Sequence, residues 1–142
     1  MKFKYRYLRD NSSASRRYIK MPMLQVRLAH GDKLTDVVGL VDSGAADSLF
    51  DRDVAEDLGV DLKGAREQRE YFGVAGQSVI GYIHPIQFQV HGFSEWIDME
   101  AGFLDASQPY QLLGQSGFFD NYEVTLRRYR GRFEVRSRTH LH

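Results

Sequence analysis

The sequence predicts a mostly β domain with one or two short helices, and three observations lead to this. Alternation of apolar and polar residues, the period of a strand, recurs along the chain, for example in "YIKMPMLQVRLAH" over residues 18–30. Only one segment before the middle of the chain, "DRDVAEDLG" over 51–59, has the pattern of a helix. A parallel α/β fold would need long helices between its strands, and these are missing.

The first half predicts strands, one turn and one helix. Phe3, Tyr5 and Tyr7 alternate with Lys2, Lys4 and Arg6, which favours one strand with two faces. "RDNSSASRR" over 9–17 has the composition of a flexible loop. Strand 18–30 turns at "GD" and returns as "KLTDVVGLV" over 33–41. Helix 51–59 opens on acids and ends at a glycine suited to a left-handed cap.

The second half predicts a long hairpin and three more strands. Residues 69–92 form the hairpin, with Gly73 and Gly76 bracketing its tip. "SEWIDMEAGFL" over 94–104 is a strand, and residues 110–129 give a short strand, a glycine break, a brief helix at "GFFD" and a last strand. We expect a single domain over 1–142, with a core of about 20–128, a basic N-terminal strand and loop over 1–19, and a basic C-terminal strand and tail over 129–142.

Composition excludes several function classes. Lys plus Arg and Asp plus Glu both number 19, so no overall charge attracts nucleic acid or an anionic membrane. The absence of Cys excludes disulfides and thiol chemistry. No apolar stretch reaches membrane-spanning length, and the basic N-terminus lacks the apolar core of a secretion signal. The sequence therefore predicts a cytoplasmic protein with no membrane partner, for which nucleic acid is an unlikely partner despite its two basic ends.

Two common catalytic constellations are also excluded. The serine-elbow pattern fails twice, because Ile80 and Phe118 stand where a glycine is required after Ser78 and Ser116. The His residues have no metal-ligand spacing, and His140 and His142 lie in a terminal tail. We expect neither a metal nor another cofactor.

"VVGLVDSGAADSLF", residues 37–50, places Asp42 at the end of an apolar run. Because burying a carboxylate is costly, Asp42 either caps a surface turn or is half-buried for a chemical reason. Ala45 keeps the following turn small, and Ser48 is close enough in sequence to hydrogen-bond the loop. A second apolar strand, Leu112-Leu113, also ends in a glycine, Gly114.

These segments together resemble the retropepsin-like aspartic proteases, above all their bacterial single-domain members. The resemblance covers roughly residues 20–128. It rests on four segments in this order: Asp42-Ser43-Gly44-Ala45 with Ser48, the "FGVAG" hairpin tip, Leu112-Leu113-Gly114, and the "GFFD" segment. It implies a retropepsin-like acid-protease half-barrel whose active site forms at a homodimer axis.

The resemblance also implies an aspartic endopeptidase acting on peptide or protein substrates. Its chemistry needs two carboxyl groups about 3 Å apart that share one proton, as is known for aspartic proteases. The chain holds one Asp-Ser-Gly, so the second carboxylate must be Asp42 of another copy.

Further roles follow for the residues around Asp42. Ser43 would hydrogen-bond across the two-fold axis, Gly44 would let the substrate backbone approach, and Ala45 and Ser48 would support the loop. A flap would form from four residues, Gly73, Val74, Ala75 and Gly76. Leu112, Leu113 and Gly114 would pack beneath the active loops.

This sequence departs from the family pattern at two paired positions. Ala46 stands where family members often have an acid, and Gln115 where they often have its Arg partner. Asp47, one residue later, could replace the acid or be a solvated loop residue. Ala75, where another glycine is frequent, would stiffen the flap. The alternative is therefore a weakly active or inactive retropepsin-like domain for dimerisation or peptide binding; a nucleic-acid module using the basic ends is a third, less favoured possibility.

Overall fold

The computed structural model describes residues 1–9 and 17–138. Most of the loop predicted over 9–17 lies outside the described residues, as do His140 and His142. The strands are β1 Lys2–Lys4, β2 Arg6–Arg9, β3 Tyr18–Met21, β4 Met23–His30, β5 Lys33–Val41, β6 Leu49–Phe50, β7 Glu67–Phe72, β8 Ser78–Val90, β9 Ile97–Leu104, β10 Gln111–Leu113, β11 Tyr122–Arg127 and β12 Arg132–Ser137. One α-helix, α1, spans Arg52–Asp57, and 3₁₀ turns lie at Leu62–Gly64 and Arg128–Arg130.

Seven strands form the main sheet, in the order β4-β5-β10-β6-β9-β8-β7. Because β4 also pairs with β8, the sheet closes on itself and β7 extends from it as the outer strand of a hairpin. Side chains that alternate inward along β4, β5, β8 and β9 fill the interior. The largest fully buried side chains are Phe50, Phe88, Phe103, Phe118 and Phe133.

The two ends of the chain pair beside this barrel. Strands β1, β12 and β11 form a three-stranded antiparallel sheet, and β2 with β3 form a separate two-stranded one. The prediction of one continuous N-terminal strand was wrong. Tyr5 is buried between β1 and β2, where its N–H donates to the Gly131 carbonyl at 2.8 Å, and Tyr7 is 69% exposed on β2. The apolar face of the pattern therefore does not continue past Tyr5.

The helix predicted over 51–59 is confirmed, in a shorter form, as α1. Asp51 caps it by accepting the Val54 N–H at 3.2 Å, and Gly59 follows its end with a φ of +65°. The brief helix predicted at "GFFD" is wrong, because residues 117–121 form turns. Gly117 has a φ of +92°, which a helix does not allow, and Asp120 accepts its N–H at 3.1 Å. No helix in the described part of the chain is long and apolar enough to cross a bilayer.

Candidate active site

Asp42 lies where the buried strand β5 leaves the sheet. Strand β10 runs parallel to β5, with Leu113 beside Val41, and the Asp42 N–H continues this pairing by donating to the Leu113 carbonyl at 3.0 Å. Asp42 is half-buried, and its Oδ1 accepts the Gly44 N–H at 2.9 Å. The Ala45 N–H closes the turn on the Asp42 carbonyl at 3.2 Å. The backbone therefore fixes one carboxylate oxygen of Asp42 while Ser43 and Gly44 remain exposed.

Two loops join at this point: the Asp42 loop (residues 42–48) and the Gly114 loop (residues 113–116). The Gln115 N–H donates to the Ala45 carbonyl at 2.8 Å, and the Ser116 N–H donates to the Ala46 carbonyl at 2.9 Å. These bonds join the two loops beyond the ends of β5 and β10, in a different register, and an isolated parallel bridge pairs Asp47 with Ser116. The position of Asp42 is thus set by backbone from two distant parts of the sequence.

Ser48 is fully buried and bonds the Gly114 loop. Its hydroxyl donates to the Ser116 carbonyl at 3.0 Å and accepts the Gly114 N–H at 3.0 Å. One hydroxyl thus satisfies two backbone groups that would otherwise be buried without partners, which is costly. Since Ser48 is the last residue of the Asp42 loop, its hydroxyl ties that loop to the Gly114 loop.

The short strand that ends in Gly114 lies beneath the Asp42 loop. Leu113 is fully buried and lies against Gly39, where a Cβ would come within 2.8 Å of the Leu113 side chain. A Cβ on Gly114 would come within 2.7 Å of the Ala45 carbonyl oxygen and would also clash with the Asp47 carbonyl. Only glycine fits there, because both obstacles are backbone atoms. Leu112 is half-buried and pairs with Leu49.

The uncharged side chain of Gln115 hydrogen-bonds the Asp42 loop. Its side-chain Nε2 donates to the Ser43 carbonyl at 2.7 Å, while Ala46 is exposed and offers only its backbone. The link that Gln115 makes between the two loops is thus a neutral hydrogen bond and not an ion pair.

Asp47 is 6% exposed and contacts the long hairpin. Both of its carboxylate oxygens accept from Arg69 Nη1 at 2.9 Å, and the Tyr71 hydroxyl donates to Oδ2 at 2.6 Å. Arg69 also pairs with Glu67 at 2.8 Å. The possibility that Asp47 is a solvated loop residue is therefore wrong. The buried carboxylate instead ties the Asp42 loop to β7, the first strand of the hairpin.

Hydrogen bonds and burial in this cluster shift the pKa values of Glu67, Arg69 and Tyr71. The hydrogen bond from Arg69 lowers the pKa of the Glu67 carboxyl, and the bonds to Glu67 and then Asp47 raise the pKa of the Arg69 guanidinium. Burial first, and then the bond to Asp47, raises the pKa of the Tyr71 phenol. Tyr71 is therefore a stable neutral donor to Asp47 across the neutral range.

The hairpin tip (residues 73–76) contrasts with these loops. Two backbone bonds within the hairpin close it: the Gly73 N–H donates to the Gln77 carbonyl at 2.7 Å, and the Gly76 N–H donates to the Gly73 carbonyl at 3.0 Å. Gly76 has a φ of +82°, and Val74 is fully exposed. Val74, Ala75 and their neighbours thus extend into solvent, whereas Arg69 and Tyr71, earlier on β7, contact the Asp42 loop.

Sequence reasoning missed Arg69 and Tyr71. A signal for them exists, since strand alternation places Glu67, Arg69 and Tyr71 on one face of β7. The pattern does not show that Arg69 and Tyr71 come close to Asp47, because this depends on how the hairpin leaves the barrel. No group of three or more metal-binding side chains lies together within 1–9 and 17–138.

Comparison with known proteins identifies the family and the fold of the chain. A family model described as aspartyl protease matches residues 24–116, which include both loops and the hairpin. The chain belongs to the aspartyl protease family. A retropepsin-like aspartic protease from Rickettsia conorii has a similar structure, with a TM-score of 0.58, 14% sequence identity, and coverage of 96% of this chain and 98% of that one. The fold of this aspartyl protease family member is therefore retropepsin-like.

A second similar structure is the EIAV protease complexed with the inhibitor HBY-793. It is 24% identical, with a TM-score of 0.47, and the match covers 68% of this chain and 83% of that one. No curated protein sequence gives a significant match.

Proposed function

We propose that this protein is an aspartic endopeptidase whose active site is made by the Asp42 residues of two copies. The observation that carries the proposal is the position of Asp42, half-buried at the end of β5 and held by backbone from both loops. The chain contains a single Asp-Ser-Gly. Since peptide hydrolysis of this kind needs an acid and a base at once, a second Asp42 completes the site.

In the proposed reaction the two Asp42 carboxyls share one proton and hold a water molecule. The ionised carboxylate takes a proton from this water as it attacks the scissile carbonyl, and the protonated one supports the developing oxyanion. The leaving amine then receives a proton from the pair. Ser43, exposed beside Asp42, would hydrogen-bond across the two-fold axis, and Gly44 would leave room for the substrate backbone.

The substrate in this proposal is an extended peptide covered by the hairpin. Residues 73–76 would act as a flap, because their backbone groups are exposed and their bonds are internal. Phe72 and Val74, 71% and 109% exposed, give this flap an apolar surface that a bound peptide would cover.

An isosteric substitution that removes the ionisable carboxyl tests the catalytic step. Asp42→Asn should abolish cleavage of an unstructured protein from acid to neutral pH and leave the sedimentation coefficient of a dimer unchanged. Asp32→Asn, on the exposed turn after β4, is the matched control and should cleave normally. Cleavage by Asp42→Asn at the wild-type rate would contradict the proposal.

Subunit mixing tests the composite site. Equal amounts of wild type and Asp42→Asn are mixed and exchanged to equilibrium. The mixture should have about a quarter of the activity of wild type at the same total protein concentration, because only dimers with two Asp42 residues react. Retention of half the activity would mean that each subunit acts alone. A dimer that binds peptides but never cleaves them, and that ignores a hydroxyl-bearing transition-state mimic, would favour the peptide-binding alternative suggested by Ala46.

A further inference from the structure

The fold separates charges that cancel in the sequence. Residues 23–126 contain 17 Asp and Glu against six Lys and Arg. In the described segments 1–9, 17–22 and 127–132, every charged side chain is Lys or Arg. The structure brings these segments together, because the Tyr5 N–H donates to Gly131 and Lys20 Nζ donates to the Arg128 carbonyl at 3.2 Å. A net charge of zero therefore conceals a basic side of the molecule.

The hairpin of β2 and β3 presents tyrosines and cations on one face. In its antiparallel register Tyr7 lies opposite Lys20, and Arg9 lies opposite Tyr18, so the four side chains share a face with rings and cations alternating diagonally. Tyr7 and Tyr18 are 69% and 67% exposed. The opposite face carries the pair Leu8 and Ile19, both half-buried.

The turn between β11 and β12 extends this surface. Lys20 bonds Arg128 at its start, and Tyr129 is 79% exposed with the Arg130 guanidinium 5.5 Å from its ring centre. We call the set of Tyr7, Arg9, Tyr18, Lys20 and residues 128–130 the tyrosine–cation face. Three exposed rings among four cations form an unusual surface, since tyrosines are normally covered over most of their apolar area.

We propose that the tyrosine–cation face binds single-stranded nucleic acid. Exposed aromatic rings stack on the faces of unpaired bases, and neighbouring Lys and Arg neutralise the phosphates between them. A duplex offers no free base faces, so the rings select single strands. This binding is independent of the proposed peptidase activity, and none of its residues belongs to the Asp42 or Gly114 loop.

Charge argues against the competing occupants. A second copy seated by the same face would place its cations against Arg9, Lys20, Arg128 and Arg130, which is unfavourable. An anionic membrane would satisfy the cations, but the tyrosine–cation face carries no aliphatic side chain to insert. Single-stranded nucleic acid contacts both, because its bases stack on the rings and its phosphates pair with the cations.

The direct test is fluorescence anisotropy with labelled oligo(dT) and oligo(U) of about 12 nucleotides. With four cations on the face, log Kd should rise with log salt with a slope of about 3. A blunt duplex of the same length should bind at least ten-fold more weakly. Comparing the DNA with the RNA strand shows which sugar the face prefers, and binding of either supports the proposal.

Variants separate stacking from simple charge attraction. Tyr7→Ala with Tyr18→Ala should weaken binding about ten-fold or more, while Tyr7→Phe with Tyr18→Phe should bind like the wild type. Arg128→Ala with Arg130→Ala should reduce the salt slope to about half. Lys33→Ala with Lys63→Ala, an equal charge change on exposed barrel residues, is the control and should leave binding unchanged.

Several results would overturn the proposal. These are no binding at low salt, equal binding by the duplex, equal loss in the Lys33 and Lys63 control, or no loss in the double Tyr→Ala variant. Binding to phosphatidylserine vesicles with none to the oligonucleotides would identify a membrane surface instead. Dissociation of a dimer by the Tyr→Ala variant in sedimentation would identify a subunit interface.

Discussion

The Asp42 loop and the hairpin tip are both glycine-containing turns, yet they are held in opposite ways. The Asp42 loop bonds Gln115 and Ser116 of the Gly114 loop through its backbone, and its Asp47 and Ser48 side chains are buried and hydrogen-bonded. The backbone bonds that close the tip, from Gly73 to Gln77 and from Gly76 to Gly73, lie within its own hairpin, and Val74 is fully exposed. The Asp42 loop is therefore held by bonds to two other segments, the Gly114 loop and β7, whereas the hairpin tip is held by bonds within its own hairpin.

This difference separates two requirements of the proposed peptidase. A reacting carboxylate must be held at a set position, because small displacements reduce the rate strongly. A covering segment must open for each substrate, so it belongs to the least stable part of a structure. Asp47, Arg69 and Tyr71 join the hairpin to the Asp42 loop.

The largest effect is expected from the same substitution made once in the Gly114 loop, which packs against the Asp42 loop, and once at the hairpin tip. Gly114→Ala should destabilise the protein by about 3 kcal/mol or more, because its Cβ meets two backbone carbonyls that cannot move aside. Gly76→Ala, with open space but a φ of +82°, should cost about 1 kcal/mol. Urea unfolding measures both, and equal costs would contradict the contrast between the two turns.

A smaller effect on stability is expected where β7 contacts Asp47 of the Asp42 loop. Arg69→Met should lower the free energy of unfolding by about 2 kcal/mol, since it leaves the buried Asp47 carboxylate with Tyr71 as its side-chain donor. Arg66→Met, exposed just before β7, is the control and should stay within about 0.5 kcal/mol. If both variants unfold alike, the Asp47 cluster does not stabilise the contact between β7 and the Asp42 loop.

The Tyr71 hydroxyl makes the stability of the contact between β7 and the Asp42 loop depend on pH. Because the pKa of Tyr71 is raised in the folded protein, the unfolded chain loses this proton first, near pH 10. The contribution of the phenol is therefore complete below about pH 10 and is lost as the pH rises further. Tyr71→Phe should cost about 1 kcal/mol at neutral pH, and its deficit against the wild type should shrink above pH 10. A deficit that stays constant would contradict this account.

The smallest effect on stability is expected at the tip. Val74→Ser removes a fully exposed side chain, so the free energy of unfolding should change by less than about 0.5 kcal/mol. If residues 73–76 cover the peptide, KM should rise several-fold while stability stays constant. An unchanged KM and kcat would remove the tip from substrate binding.

The strands were predictable because their alternation is local. The barrel strands and α1 follow periodicities of a few residues, and the Asp42 strand with its partner Leu112-Leu113 follows from two apolar runs that end in glycine. The "GFFD" segment failed because its apolar pair fits a helix, whereas Gly117 adopts a backbone conformation that only the folded context requires.

The site was less predictable because it depends on distances across the fold. Asp47 could be assigned only after β7 was placed beside it, and neither Arg69 nor Tyr71 forms a recognisable motif. Similarly, the total charge of zero obscured the basic side formed by the two ends, because summing charges ignores where the fold places them.

The pairing of the two loops also has a consequence for the order in which the molecule can form. The bond from Gln115 to Ser43 joins residues 72 positions apart, and the bonds of Ser48 span 66 and 68 positions. A growing chain therefore exposes Asp42 on the ribosome long before the segment that fixes it has been synthesised. Such long-range contacts form slowly. The Asp42 loop therefore takes its final position only after the Gly114 loop has left the ribosome.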